Sequence, residues 1–233
     1  RLDTSGKGTF SRILTVKKGL ERSQIPYNAL MVLTNTMARH PRQIWNFLQK
    51  ESIAYVQFVP CLGPLENGTT PYALTPERYA DFYTQLFDLW YPETLKGHFQ
   101  SIKLFDDLLN LLVRREETAC GITGTCHGQL IVEADGSVYP CDFYALDSWH
   151  LGSLKQNTLK EIYESPQMHT FRSRPKTPPT ACSSCPYTSI CGGGCPRMRQ
   201  EVFCSQKSGF CGHRALLNAI FPRLQTLAAS LTT

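Results

Sequence analysis

The chain has 233 residues, of which 42% are hydrophobic and 18% are charged, and its formal net charge is +5. This composition is typical of a soluble globular protein with one large domain or two modest ones, and no apolar run reaches the length of a membrane span. The net positive charge is small and the basic residues form no sustained run, so the chain lacks the basic surface patch that is typical of a nucleic-acid-binding protein. We therefore expect neither a membrane nor a nucleic acid as a partner.

The first quarter of the chain alternates between helical and strand-like patterns. Apolar residues recur at helical spacing over residues 10–23, and residues 25–33 are rich in apolar side chains after a polar break. Pro41 is expected at the first position of a second helix, and residues 53–59 read as a second strand. Two strands joined by a helix of this length predict a βαβ unit with parallel strands.

Two further helices are predicted after a loop over residues 64–74 that is rich in Pro, Gly and Thr. Thr75 followed by Pro76 predicts an N-cap and a first helical position, and this helix should run to about Trp90. Apolar residues at helical spacing predict the next helix over residues 99–115.

The character of the sequence then changes, because Cys and Gly increase and regular periodicity fades. We therefore divide the chain into two domains, residues 1–115 and 116–233. The second contains a strong hairpin signal, with Asp135-Gly136 between the strand-like runs 130–134 and 137–139. A two-residue turn is predicted for this hairpin.

The ten cysteines are the most informative feature, and all but Cys61 lie beyond the predicted boundary. Their pattern is C-x5-C-x9-G-x4-C from Cys120 to Cys141, C-x2-C-x5-C-x3-C from Cys182 to Cys195, and then Cys204 and Cys211. Thiolates suit zinc or iron–sulfur clusters, whereas disulfides need an oxidising compartment. The spacing leaves two four-cysteine zinc sites and two four-cysteine clusters as alternatives.

Taken in order, this cysteine pattern resembles the SPASM extension of radical S-adenosylmethionine (SAM) enzymes that modify peptides, and most of all the anaerobic sulfatase-maturating enzymes. The supporting segments are residues 6–10, 138–143, 191–197 and 209–211. The resemblance is strong over residues 116–215 and weaker before them. It implies an α/β fold: the C-terminal part of a partial (β/α)6 radical SAM barrel, followed by a small cysteine-rich SPASM domain with a β-hairpin and two Fe–S sites.

The resemblance also implies two auxiliary [4Fe–4S] clusters with crossed ligation. The first ligand set would be Cys120, Cys126, Cys141 and Cys195, and the second would be Cys182, Cys185, Cys191 and Cys211. Cys204 has no place in either set, although it could replace Cys211, and Cys61 is expected in the core or a loop. Asp142 would be the general base, because a carboxylate beside a cluster can take a proton while the cluster takes an electron.

The implied reaction starts with reductive cleavage of SAM to a 5′-deoxyadenosyl radical, which takes a β-hydrogen from a Cys or Ser of a sulfatase. Asp142 would remove a proton, and the first auxiliary cluster would accept the remaining electron, leaving formylglycine. The implied partners are a sulfatase or another peptide substrate and an electron donor such as flavodoxin or ferredoxin. Oxygen-labile clusters imply a cytoplasmic location.

One departure from the family pattern concerns the catalytic third cluster, which radical SAM enzymes bind through C-x3-C-x2-C. The sequence does not contain this motif and begins with Arg1 instead of Met, so we interpret the chain as a C-terminal fragment that is inactive alone. Arg1, Gly6 and Gln57 are candidates for the SAM pocket. Two alternative functions are a SPASM maturase of another peptide and a zinc-binding module without redox chemistry.

Overall fold

The computed structural model describes residues 2–65, 70–174, 180–205 and 208–231. The first half contains α1 (Phe10–Arg22), β1 (Ala29–Leu33), α2 (Pro41–Lys50), β2 (Tyr55–Pro60), α3 (Pro76–Leu95), β3 (Ser101–Ile102) and α4 (Lys103–Val113). The three strands form one sheet in the order β1-β2-β3, and both pairs are parallel. The predicted βαβ unit is therefore confirmed.

Helix α3 begins as predicted but ends later. The hydroxyl of Thr75 accepts a hydrogen bond from the backbone N–H of Arg78, which makes it the N-cap. The helix continues past Trp90 to Leu95, and Gly97 then adopts φ +81°. A glycine in the left-handed region just beyond the last turn is a common helix stop.

The prediction of one helix over residues 99–115 is wrong at its start, because α4 begins only at Lys103. The preceding residues extend the sheet instead: the N–H of Ser101 donates to the carbonyl of Ala54 at 2.8 Å. The buried amide of Gln100 donates to the carbonyls of Ile53 and Ala54 at 2.9 and 3.1 Å. These long-range hydrogen bonds hold the segment extended.

The second half consists of short elements followed by one long helix. They are β4 (Ile131–Val132), β5 (Ser137–Tyr139), β6 (Gly152–Ser153), α5 (Leu159–Tyr163), α6 (Pro166–Ser173), α7 (Thr180–Ser183), α8 (Thr188–Cys191), α9 (Pro196–Met198) and α10 (Gly212–Ser230). Strands β4, β5 and β6 form an antiparallel sheet. The predicted hairpin is present, and β6 adds a third strand.

The turn of this hairpin has three residues, so the predicted two-residue turn is wrong. The N–H of Glu133 donates to the carbonyl of Ser137, and the N–H of Gly136 donates to the carbonyl of Glu133, both at 2.9 Å. Gly136 has φ +91°, as expected for a type I turn followed by a glycine bulge.

Two hydrophobic clusters lie inside the described ranges. The larger one contains buried side chains of the parallel sheet, α2, α3 and α4, together with Leu216, Ile220 and Leu224 of α10. The smaller one is built on Val138, Leu151, Ile162, Met168 and Phe171, beneath the antiparallel sheet. Helix α10 therefore packs on α3, across the predicted boundary between residues 115 and 116.

Some apolar surface of the first half is not covered. Helix α1 buries none of its residues, and Phe10, Ile13 and Val16 are each more than half exposed. Leu30 and Val32 of β1 are exposed in the same way. None of the described helices is long and apolar enough to cross a lipid bilayer.

Candidate metal centres and active site

A cavity of about 360 Å³ lies between the antiparallel sheet and the parallel sheet. Its lining includes all four cysteines predicted as the first ligand set: Cys120, Cys126, Cys141 and Cys195. Cys126 precedes β4 and Cys141 follows β5, so the hairpin returns the chain to the same wall. The N–H of Gln129 donates to the carbonyl of Pro140 at 2.7 Å, which holds these two ends together.

Cys195 is distant in sequence from the other three cysteines of the first set. It lies beside them because its backbone packs closely against that of Gly121. A Cβ atom on Gly121, whose φ is +69°, would lie 2.8 Å from the Cβ of Cys195. Only glycine allows this approach. A second such contact lies nearby, where a Cβ on Gly192 would lie 1.9 Å from the carbonyl oxygen of Thr123.

Asp142 lies at the edge of the same cavity. It begins a short 3-10 turn over Asp142–Tyr144, directly after Cys141 at the end of the hairpin. Its Oδ1 accepts hydrogen bonds from the thiol of Cys141 at 3.3 Å and from the N–H of Phe143 at 3.0 Å. The carboxylate is exposed, so it is available to a molecule that enters the cavity.

Two thiols of this set, those of Cys120 and Cys141, have raised pKa values and so resist ionisation. Burial, together with the hydrogen bond to Asp142, raises the pKa of Cys141 to about 12. Burial also raises the pKa of Cys120, and the neighbouring Cys126 adds to the effect. Thiols in such surroundings stay protonated until a metal displaces the proton, which couples metal binding to proton release.

The four cysteines predicted as the second set line a separate, smaller cavity. They are Cys182, Cys185, Cys191 and Cys211. The cavity measures about 20 Å³, enough for roughly one water molecule, so its walls would have to separate to admit a cluster. Burial raises the pKa of Cys191 to about 11, as it raises those of Cys120 and Cys141 in the first set.

Cys204 lies beside Cys211 but does not line this cavity. The two residues form an isolated antiparallel bridge, and their thiols share a hydrogen bond. That hydrogen bond lowers the pKa of Cys211, as do the backbone N–H groups of Arg214 and His213 at the start of α10. Cys61 follows β2, is half-buried and lines neither cavity.

Of the three residues predicted for a SAM pocket, the structure describes two, Gly6 and Gln57. Arg1 lies outside the described residues. Gly6 is in an exposed turn, where its N–H donates to the carbonyl of Asp3 at 3.0 Å. Gln57, on β2, lines the first cavity with Asp142.

Sequence reasoning missed several charged residues around the first cavity. Asp107 is 3% exposed and pairs with Lys103, and its Oδ1 also accepts a hydrogen bond from the hydroxyl of Thr118 at 2.7 Å. Arg197 pairs with Glu201 at 2.8 Å. An available signal was the position of Asp107 between apolar residues on the buried face of α4.

Within the described ranges, no group of three or more His, Cys, Asp or Glu side chains is arranged to hold a single metal ion. Each set of four thiols instead lines the walls of its own cavity. Four cysteines are the usual ligands of a [4Fe–4S] cluster. By donor chemistry both sets fit such a cluster.

Comparison with known families identifies the cysteine-rich region. Residues 124–186 match the SPASM family, described as an iron–sulfur cluster-binding domain. These residues are therefore similar to a SPASM domain. The match begins just before Cys126 and ends just after Cys185, so it covers the hairpin, Asp142 and the start of the second cysteine set.

The similarity extends beyond the SPASM domain to almost the whole chain. A cysteine-type anaerobic sulfatase-maturating enzyme of Clostridium perfringens is 36% identical over 236 residues, which cover 99% of this chain and 64% of the relative. A serine-type anaerobic sulfatase-maturating enzyme of Bacteroides thetaiotaomicron is 25% identical over 85% of this chain and 52% of the relative. The chain thus spans less than two thirds of these relatives.

Solved structures agree with the sequence relatives. Native anSMEcpe with bound AdoMet and the Kp18Cys peptide superposes with a TM-score of 0.89 at 34% identity, covering 99% of this chain and 65% of that one. Native anSMEcpe with bound AdoMet gives a TM-score of 0.87 at the same identity, covering 97% of this chain and 63% of that one. The mixed α/β fold of this chain, including the region that matches the SPASM family, is therefore that of the matching part of these structures.

Proposed function

We propose that this chain is the C-terminal part of a radical SAM enzyme that oxidises a Cys or Ser of a sulfatase to formylglycine. The observation that carries the proposal is the first cavity, which gathers four cysteines, Asp142 and Gln57 around one space large enough for a peptide side chain. The similarity to both cysteine-type and serine-type maturating enzymes supports it. The proposed partners are a sulfatase and a flavodoxin- or ferredoxin-like electron donor.

Asp142 is the proposed general base of this reaction. Its carboxylate is exposed at the cavity wall and touches the thiol of Cys141, a proposed ligand of the first cluster. A base in this place can accept the proton that leaves the substrate while staying within reach of the solvent, to which it later returns the proton.

The cysteine sets are proposed to hold two auxiliary [4Fe–4S] clusters with the crossed ligation given above. When bound, the first cluster would supply an electron acceptor next to Asp142. The residues of this chain would hold it through the hairpin, which supplies Cys126 and Cys141, and through the Gly121 contact, which admits Cys195. The protein thus supplies position and electrostatics, while the cofactor carries the redox chemistry.

The parallel sheet is proposed to be the last portion of a partial (β/α)6 barrel. Helix α1 buries none of its residues, and β1 pairs only with β2 in the described ranges. A preceding barrel segment would cover Phe10, Ile13 and Val16 and pair with the open edge of β1. SAM and the third cluster would bind in that segment, with Gln57 facing them across the cavity.

The deciding experiment for the clusters is analysis of iron, sulfide and zinc in the chain, reconstituted without oxygen. About eight irons with matching sulfide, together with a brown colour, are expected from two [4Fe–4S] clusters. About two zincs without iron would overturn the redox function and identify a zinc-binding module. For the full-length form, conversion of a sulfatase peptide, but not of unrelated peptides, separates sulfatase maturation from maturation of another peptide.

A further inference from the structure

In the lining of the first cavity, one arginine is held in a clamp of three aromatic rings. The guanidinium carbon of Arg174 lies 3.6 Å from the ring centroid of Phe171, 4.4 Å from that of Tyr144 and 5.0 Å from that of Trp149. The rings pack edge to face on one another, with centroids 5.2 to 6.4 Å apart. Phe171 belongs to the smaller hydrophobic cluster, and Tyr144 and Trp149 pack against that cluster, so the clamp has a rigid base.

The hydrogen-bonding groups of Arg174 are only partly used. Its Nε donates to the carbonyl of Phe171 at 2.9 Å. Among the residues that the structure describes, no carboxylate pairs with its guanidinium. The N–H groups on both Nη atoms therefore have no acceptor within the described part of the protein. A guanidinium can offer two parallel donors to one oxygen-bearing group.

The position of Arg174 links it to the proposed reaction. It lines the first cavity with Asp142, and Tyr144 of the clamp ends the 3-10 turn that Asp142 begins. The two other cations in the lining already have carboxylate partners, since Lys103 pairs with Asp107 and Arg197 with Glu201. Arg174 is thus the lining cation that has no carboxylate partner among the described residues.

We infer that Arg174 is a positioning residue that binds an oxygen of the peptide substrate, either a main-chain carbonyl or a carboxylate, next to the side chain that is oxidised. The inference rests on the proposed function, because it takes the peptide to enter the first cavity. A donor already held between aromatic rings loses little conformational freedom when it binds, so most of its interaction contributes to affinity.

The test compares Arg174→Met and Arg174→Lys in the full-length, cluster-loaded protein. Binding of a fluorescent sulfatase peptide containing the target cysteine is measured by anisotropy, and KM and kcat are measured for its oxidation. Methionine keeps the length and the packing on the rings but removes the donors. We expect affinity to fall and KM to rise about tenfold or more in Arg174→Met, with kcat changed far less, and Arg174→Lys to be intermediate.

Arg172→Met is the matched control. Arg172 lies in the last turn of α6, two residues before Arg174, which follows the end of that helix. It stacks on Tyr163 at 3.8 Å and donates from Nε to the carbonyl of His127, but it does not line the cavity. Its substitution should leave peptide affinity unchanged. The inference is overturned if Arg174→Met binds iron normally and still binds the peptide with wild-type affinity. It is also overturned if Arg172→Met loses as much peptide affinity as Arg174→Met.

Two further measurements cover a variant that fails to load iron and identify the oxygen that Arg174 binds. If Arg174→Met fails to load iron, the test rests on Arg174→Lys, which keeps the positive charge but not the planar pair of donors. Wild-type peptide affinity in Arg174→Lys would then refute the inference. A peptide with every acidic side chain changed to its amide identifies the acceptor: retained affinity indicates a main-chain carbonyl, and a loss to the Arg174→Met level indicates a carboxylate. A wild-type protein that neither binds nor oxidises the peptide instead refutes the proposed function.

Discussion

Asp142 and Asp147 begin two successive 3-10 turns, but only Asp142 lines the cavity with the cysteines. We predict that Asp142→Asn reduces formylglycine formation by the full-length protein by about 10²- to 10⁴-fold, the usual contribution of a general base. Iron content should not change, because the amide keeps the size of the side chain. Asp147→Asn serves as the control and should retain full activity; a fully active Asp142→Asn enzyme would disprove the base assignment.

The bridge between Cys204 and Cys211 raises the question of which thiol is a ligand. Cys211 lines the second cavity, whereas Cys204 does not. We predict that Cys211→Ser loses about half of the bound iron, since one of two four-iron clusters is affected, and that Cys204→Ser loses none. Cys61→Ser controls for the loss of a thiol, because Cys61 lines neither cavity. Equal iron loss in Cys204→Ser and Cys211→Ser would mean that Cys204 is the true ligand or shares that role.

Two glycine contacts connect the segments that carry the two cysteine sets. A Cβ on Gly192 would lie 1.9 Å from the carbonyl oxygen of Thr123, and one on Gly124 would lie 2.2 Å from the carbonyl oxygen of Gly192. We predict that Gly192→Ala separates these segments and lowers the iron content of both sites, as measured by iron analysis and visible absorbance.

Gly97→Ala is the matched control, because Gly97 also has a positive φ but nothing lies within 4 Å of its would-be Cβ. This substitution should cost only about 1 kcal/mol of stability, the penalty for a left-handed alanine. Iron content should be unaffected. Normal iron in Gly192→Ala would show that the backbone at this contact can move aside without loss of the sites.

Sequence patterns predicted the elements whose signals lie within a few residues. They failed where hydrogen bonds to distant residues determine the backbone conformation. The N-cap at Thr75 and the hairpin around Asp135-Gly136 are encoded within a few residues, so both were predicted. Strand β3 was not, because its extended conformation depends on hydrogen bonds from Gln100 and Ser101 to the carbonyls of Ile53 and Ala54. Such partners lie about fifty positions away and leave no local pattern.

The residues of the candidate site also fall into those that sequence patterns predicted and those that they did not. Cysteine spacing, read with the family resemblance, named all eight thiols that line the two cavities. It did not name Arg174, since an arginine followed by a proline-rich segment looks like any exposed loop residue. Its place in the cavity depends on three aromatic rings from separate elements, and only the folded arrangement of Tyr144, Trp149 and Phe171 makes that visible.

For the molecule as a whole, the open question is whether residues 1–115 and 116–233 are separate folding units. Helix α10 places Leu216, Ile220 and Leu224 in the larger core, all fully buried. A unit made of residues 1–115 alone would expose the face of α3 that α10 covers. We therefore expect the first half and α10 to unfold together, although cysteine-rich elements separate them in sequence.

Ile220 and Ile162 offer a matched pair for testing this expectation, because both are isoleucines with at most 1% exposure, one in each core. Truncation of a buried isoleucine to alanine costs about 2–5 kcal/mol. In a Trp149→Phe background, fluorescence reports only on Trp45 and Trp90, which lie in the larger core. Ile220→Ala should lower the denaturant midpoint of this signal, and Ile162→Ala should shift it much less. An unchanged midpoint in Ile220→Ala would instead mean that α10 unfolds separately, and the boundary at residues 115 and 116 would then divide two independently stable units.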